Sequence, residues 1–269
     1  MREARTLFEQ LAAEFPAMAQ TPFSPEELAR RLNYYETVTK PLQNLMITGC
    51  YWGEVEHERV WAKCLEMITN LPREAGLDVW VRLRLYPSLV LLYSGGIAAI
   101  AAEQYGNFRS LLTKSKLIDE RKSVPIVLGV NSEVIGTNVG RKIPGMEGHT
   151  RTPVSDYLYS LLREPFRESI PQDFLYQGYF DHFEYLSALV FVDMKNLEAG
   201  SEVWGPVGCF GWRRLYYRED TIMWKIDMEA AGAGGNWPPI KAGLFNGSVK
   251  RFKEVKVAFD SFLAKLHWY

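Results

Sequence analysis

What this 269-residue chain lacks narrows its chemistry first. It has no phosphate loop, no dinucleotide-binding fingerprint, no nucleophile-elbow serine and no zinc-ligand spacing, so no motif supports a nucleotide enzyme, a serine hydrolase or a zinc protein. Cysteine is scarce. Cys50, Cys64 and Cys209 are odd in number and none stands in a C-x-x-C pair, which removes a disulfide framework and fits a reducing cytoplasm. An excess of either charge is absent too: 31 Lys+Arg against 32 Asp+Glu leave a net charge of −1. A chain so balanced has no electrostatic footprint for nucleic acid or anionic lipid, and neither is an expected partner. The opening residues, MREARTLFEQ, are charged and amphipathic where a signal peptide would be apolar. No solenoid repeat recurs, and the only low-complexity piece is 230–235 (AAGAGG).

Apolar and aromatic residues are plentiful. At 47% hydrophobic, the chain can bury a sizeable core without disulfide or metal staples. Its most apolar run, 85–102 (LYPSLVLLYSGGIAAIAA), approaches membrane-spanning length, but Pro87, Ser88, Ser94 and Gly95-Gly96 interrupt it and Arg82 and Arg84 precede it. A helix buried on all sides is expected there, with no membrane involved.

Periodicity predicts a mainly helical α+β protein, with a helical region over 1–120 and an α+β region over 121–269 that form one compact unit. Ser24-Pro25-Glu26-Glu27 forms a capping box, and Leu28, Leu32, Tyr35, Leu42 and Leu45 follow at helical spacing; Pro41 either kinks or splits this helix. Further helices are expected over 55–70, 152–163, 174–196 and 248–267. Residues 122–149 read as a hairpin or long loop. Near the C-terminus, 204–217 (WGPVGCFGWRRLYY) and 221–228 (TIMWKIDM) read as two strands of an aromatic antiparallel hairpin packed on helices, with a final helix after it.

Four sets of side chains are candidates for function. Glu54 and His57, three apart with Glu58 beside them, match the Glu-x-x-His spacing of carboxylate-bridged metal bundles, with Asp181, His182 and Glu184 as the only candidates for a second half. The bland alternative is first-turn acids complementing a helix dipole, and no metal or cofactor is expected. Asp173, Asp193 and Lys195 superficially match a nuclease signature in which acids hold a divalent ion and the lysine positions water, the one catalytic alternative. That signature needs a strand where this sequence reads as helix. Arg141 and Lys142, in the glycine-rich stretch 136–148, could cradle an anion. Finally Trp204, Phe210, Trp212, Arg213, Arg214 and Tyr216 crowd aromatic rings and guanidinium groups, the residue types that dominate protein interfaces.

Four motifs carry a family resemblance: Leu85-Tyr86-Pro87-Ser88-Leu89-Val90-Leu91-Leu92-Tyr93-Ser94-Gly95-Gly96, Leu162-Arg163-Glu164-Pro165, Phe180-Asp181-His182-Phe183-Glu184-Tyr185-Leu186, and Trp204-Gly205-Pro206-Val207-Gly208-Cys209-Phe210-Gly211-Trp212-Arg213. Over about 35–215 the chain resembles the C-terminal region of large uncharacterised or defence-type bacterial proteins, some with a sirtuin-like or other effector domain ahead of it. The resemblance assigns no catalytic residue. It implies a non-catalytic sensor, scaffold or oligomerisation role, in an anti-phage defence setting, beside an effector domain or subunit, or in a homo-oligomer.

Overall fold

The computed structural model describes residues 1–18, 21–72, 75–119, 122–195, 203–216 and 221–266. The first helix, α1 (Arg2–Met18), leads to the long α2 (Pro25–Trp52). Ser24 caps α2 as its sequence signal requires, its hydroxyl accepting the amide of Glu27 at 3.1 Å. Pro41 does not split it. Leu28, Leu32 and Tyr35 before the proline and Leu42 and Met46 after it are all buried, so packing on both sides holds the helix across the missing hydrogen bond.

A single 3-10 turn precedes α3 (Glu58–Thr69), and the short α4 (Asp78–Leu83) leads into α5 (Tyr86–Ala101). Asp78–Ala101 is long and apolar enough to cross a membrane by length and composition, and its most apolar window is wholly buried inside the fold. Helix α5 packs on α2 along one side and on a second apolar helix, α9, along another. Its two central glycines explain how. A Cβ on Gly95 would sit 3.0 to 3.2 Å from Leu111, Cys50 and Met46, and one on Gly96 would sit 2.1 Å from the Phe183 ring. Glycine costs a helix about 1 kcal/mol relative to alanine, and here that loss permits close approach on two faces.

After α6 (Tyr105–Arg109) and one π-helical turn come the two described strands, β1 (Lys116–Asp119) and β2 (Lys122–Pro125), antiparallel with Leu117 opposite Val124. The boundary expected at residue 120 therefore falls inside a hairpin, and one hydrophobic cluster runs from Ala4 to Leu263. Beyond them the α-helices among the described residues are α7 (Thr137–Gly140), α8 (Pro153–Arg163), α9 (Asp173–Met194), α10 (Cys209–Arg213), α11 (Ile222–Ala233), α12 (Pro238–Lys241) and α13 (Val249–Ala264).

The protein is thus α+β and mainly helical, but its hairpin is not the C-terminal one that the aromatic segments predict. Residues 209–213 and 222–233 are helix instead. Thr221 accepts the amide of Trp224 as an N-cap, and Ile226 and Ala230, four apart, are the buried side chains of α11. The helical period of that segment prevails over its apparent alternation. Tyr217 and Arg218–Asp220 lie outside the described residues, as do His267, Trp268 and Tyr269.

Candidate functional site

Helix α9 crosses the protein interior yet carries four buried ionisable groups, Asp181, His182, Glu184 and Asp193. Buried charge is stable only where partners are supplied: α5, α8 and the 203–213 segment supply them to Glu184 and Asp181, Arg251 pairs with Asp193, and His182 Nε2 is buried with no hydrogen-bond partner among the described residues. Glu184 Oε1 accepts the hydroxyls of Ser155 on α8 at 2.6 Å and Tyr93 on α5 at 2.8 Å; its Oε2 accepts the amide of Cys209 at 2.8 Å. Gly208 makes this possible. Any Cβ there would lie 2.0 Å from the Glu184 carboxylate, so only glycine lets the backbone fold around it.

The network continues outward. The Cys209 sulfur lies 3.0 Å from Ser155 Oγ and donates to Asp156 Oδ1 at 3.0 Å, and Asp156 Oδ2 meets His149 Nδ1 at 2.9 Å. Burial pushes Glu184 up to about 8, pushes the Cys209 thiol up, and pushes His182, wholly enclosed, down to about 4. Asp181 is raised to about 6 by burial, even though Arg213 Nη1 binds its Oδ1. The same guanidinium lies 4.3 Å over the Tyr159 ring.

Arg213 and Asp181 also form the floor of a pocket of about 300 Å³. Phe174, Gln177 and Gly178 of α9, Phe210, Arg214, and Thr221, Ile222 and Lys225 at the start of α11 complete it. Three cationic side chains face one carboxylate there.

The residues expected at an interface divide. Tyr216 is exposed, and Trp204 is half exposed with its edge on Phe191, but Phe210 and Arg213 point inward. Trp212, partly buried, donates its indole N–H to Thr152 Oγ1 at 3.0 Å; Arg214 binds the carbonyls of Gly211 and Leu263. Trp204, at the Phe191 end of α9, is about 26 Å along the helix from Phe174, at 1.5 Å per residue. These side chains form no single surface.

The other candidates do not assemble. Asp173 and Asp193 stand at opposite ends of α9, about 30 Å apart by helical rise, the first paired with Arg163 and the second with Arg251 at 2.6 Å. Lys195 lies over the Phe191 ring. A nuclease centre from these three is excluded because their segment is helix, not strand. Glu54 precedes the 3-10 turn Val55–His57 and spends its amide on His57 Nδ1, so the two do not share a helix face, and Asp181 is committed to Arg213. Among the described residues no group of three or more His, Cys, Asp or Glu is placed to hold a metal ion. Arg141 ties its loop together by donating to the Thr150 carbonyl at 2.6 Å, while Lys142 is exposed and makes no cradle with it.

Sequence reasoning missed Tyr93, Ser155, Asp156, Cys209, His149 and Lys225 as members of one region, and it placed Glu184 beside Asp181 and His182 as a metal candidate where the structure makes it the centre of a hydrogen-bond network. A signal existed: two acids and a histidine inside an otherwise apolar helix require buried partners. Comparison with family models, curated proteins and solved structures returns no match.

Proposed function

We propose that this chain is a non-catalytic binding protein, an accessory or sensor module that docks a protein partner through the face made by the start of α9, the end of α10 and α11. One observation carries this reading. Phe174, which lines the cationic pocket, is 73% exposed, and on α11, whose Ile222 and Lys225 line the same pocket, Met228 is 54% and Trp224 49% exposed; Tyr216, shortly after α10, is 66% exposed. Scattered apolar side chains are ordinary on a surface; large ones on the elements that build one pocket support its reading as a binding face. Helix α11 adds to it, since only Ile226 and Ala230 of its residues are buried and its outer side presents Trp224 and Met228, four apart.

The partner's complementary surface is apolar with acidic groups, matching Arg214, Lys225 and Arg151, whose guanidinium reaches the Tyr216 hydroxyl at 3.5 Å. The motif resemblance agrees with such a role, because it implies an effector supplied by another domain or subunit. Sedimentation of the purified chain with the protein it co-purifies with tests the reading. The Phe174→Ser/Trp224→Ser double variant is expected to lose the complex, and Trp52→Ser, equally solvent-facing on α2, to keep it. Self-association abolished by the same pair would make the partner a second copy.

A further inference from the structure

We propose that the pocket between α9, α10 and α11 binds a small organic phosphate, a phosphate monoester on an apolar body. The inference concerns a small ligand inside the pocket; it shares Phe174, Arg214 and Lys225 with the docking face, and its test uses no protein partner. Arg213, 9% exposed, donates to Asp181 through Nη1, lies over the Tyr159 ring and lines the pocket. These contacts hold the guanidinium in place, and its remaining N–H groups, which are not sealed in protein, are accessible to an acceptor in the pocket.

Charge then specifies the ligand. Among the described residues that line the pocket Asp181 is the one carboxylate and pairs with Arg213, while Arg214, which Asp260 also attracts, and Lys225 add positive charge to the same walls. Thr221 and Ile222 put the N-terminus of α11 there as well, and the side chain of Thr221 takes only the Trp224 amide, at 3.3 Å. First-turn amides without intrahelical acceptors and an aligned helix dipole favour an anion. The cationic excess among the described lining residues favours an anion, and a phosphate monoester, largely dianionic near neutral pH, matches it. The Lys225 ammonium and the guanidinium N–H groups not already bonded to Asp181, Gly211 and Leu263 suit its several oxygens. Phe174, Phe210 and Ile222 provide the apolar wall for its organic part. A pocket of about 300 Å³ admits one small ring with its phosphate and is too small for a nucleic-acid strand.

Calorimetric titration of the full chain with phenyl phosphate tests this, with benzoate, inorganic phosphate and benzyl alcohol as comparators. One phenyl phosphate per chain is expected to bind with Kd below about 1 mM, weakening as salt is added; benzoate and inorganic phosphate are each at least about fivefold weaker, and benzyl alcohol does not bind. Lys225→Met, a solvent-facing change expected to leave the thermal midpoint in place, should weaken phenyl phosphate about tenfold, and Lys253→Met on α13 should not. No heat up to about 10 mM, equal affinity for benzoate or benzyl alcohol, or an unchanged Kd in Lys225→Met would overturn the proposal. Loss of protein partners in the Phe174→Ser/Trp224→Ser variant has no bearing on it.

Discussion

Glu184 and His149, one enclosed in the core and the other with its side chain 44% exposed, are the two ends of one unbroken string of hydrogen bonds. It passes from Glu184 Oε1 to Ser155 Oγ (2.6 Å), Cys209 Sγ (3.0 Å), Asp156 Oδ1 (3.0 Å) and, through Oδ2, to His149 Nδ1 (2.9 Å). Ser155 has one proton for two acceptors. When Glu184 holds a proton it can donate to Ser155, which then turns its own hydroxyl to the sulfur. The string joins α8, α9 and α10, and the last two of these also line the pocket.

Glu184→Ala is expected to destabilise the fold by about 2–4 kcal/mol, read as a shift in the urea midpoint at unchanged slope. The ledger is asymmetric. Cys209 keeps Ser155 as an acceptor at 2.9 Å and Ser155 can turn to the sulfur, but the buried Tyr93 hydroxyl loses its acceptor, and a cavity is left. Gly208→Ala should cost a comparable amount for the opposite reason, because its new methyl would occupy the carboxylate's place. A loss below about 0.5 kcal/mol for both would remove the network from the account of stability.

Stability should depend on pH through three groups, two acids that act in one direction and a histidine that acts in the other. Glu184 is held up at about 8 against 4.5, so the folded state keeps a proton the unfolded chain releases; its contribution is full below pH 4.5 and is lost as pH rises towards 8. Asp181, raised from 3.8 to about 6, acts in the same direction over a lower window. His182 is depressed from 6.5 to about 4, so its contribution is present above pH 6.5 and lost as pH falls towards 4, on the order of 3 kcal/mol in all. Replacing Glu184 by Gln should flatten the fall between pH 4.5 and 8, and His182→Leu should flatten the acid limb. Urea midpoints across that range check both; unchanged slopes in the variants would contradict the assignment.

Gly96→Ala separates intrinsic propensity from packing. In an isolated helix this change is worth about 1 kcal/mol in favour of alanine. Here the added methyl would lie 2.1 Å from the Phe183 ring, which is edge-on to Tyr93 and enclosed by Phe108, so it has no room to yield. A net loss of about 1–3 kcal/mol is expected by thermal denaturation. A gain would mean that α5 and α9 are not in this close register.

The helices were legible because their signals are local: the Ser24 capping box, the proline openings at Pro25 and Pro153, and the all-round apolarity of α5 and α9. The hairpin was misplaced for a physical reason. Lys116–Asp119 is too short and too polar to read as a strand, and β2 holds Val124 and Pro125 only at the edge of the apolar run that continues into a 3-10 turn. Conversely, the aromatic residues of 203–213 do not pair as a strand: Trp204 packs on Phe191 and Phe210 on Tyr185 and Phe259, while Gly208 and the Cys209 amide meet Glu184. The aromatic–arginine segment drew attention correctly, yet its inward and outward members are set by tertiary packing. Arg213 could not be told from Arg214 by sequence, nor could Lys225 be placed beside them from α11.

Binding to a protein partner through the α9–α11 face is tested most directly by native mass spectrometry of the chain purified under mild conditions from its own cells, beside the Phe174→Ser/Trp224→Ser variant at matched thermal midpoint. The account predicts a stoichiometric protein complex for the original chain and a bare monomer for the variant. A bare monomer in both, or a complex that survives in the variant, would contradict it.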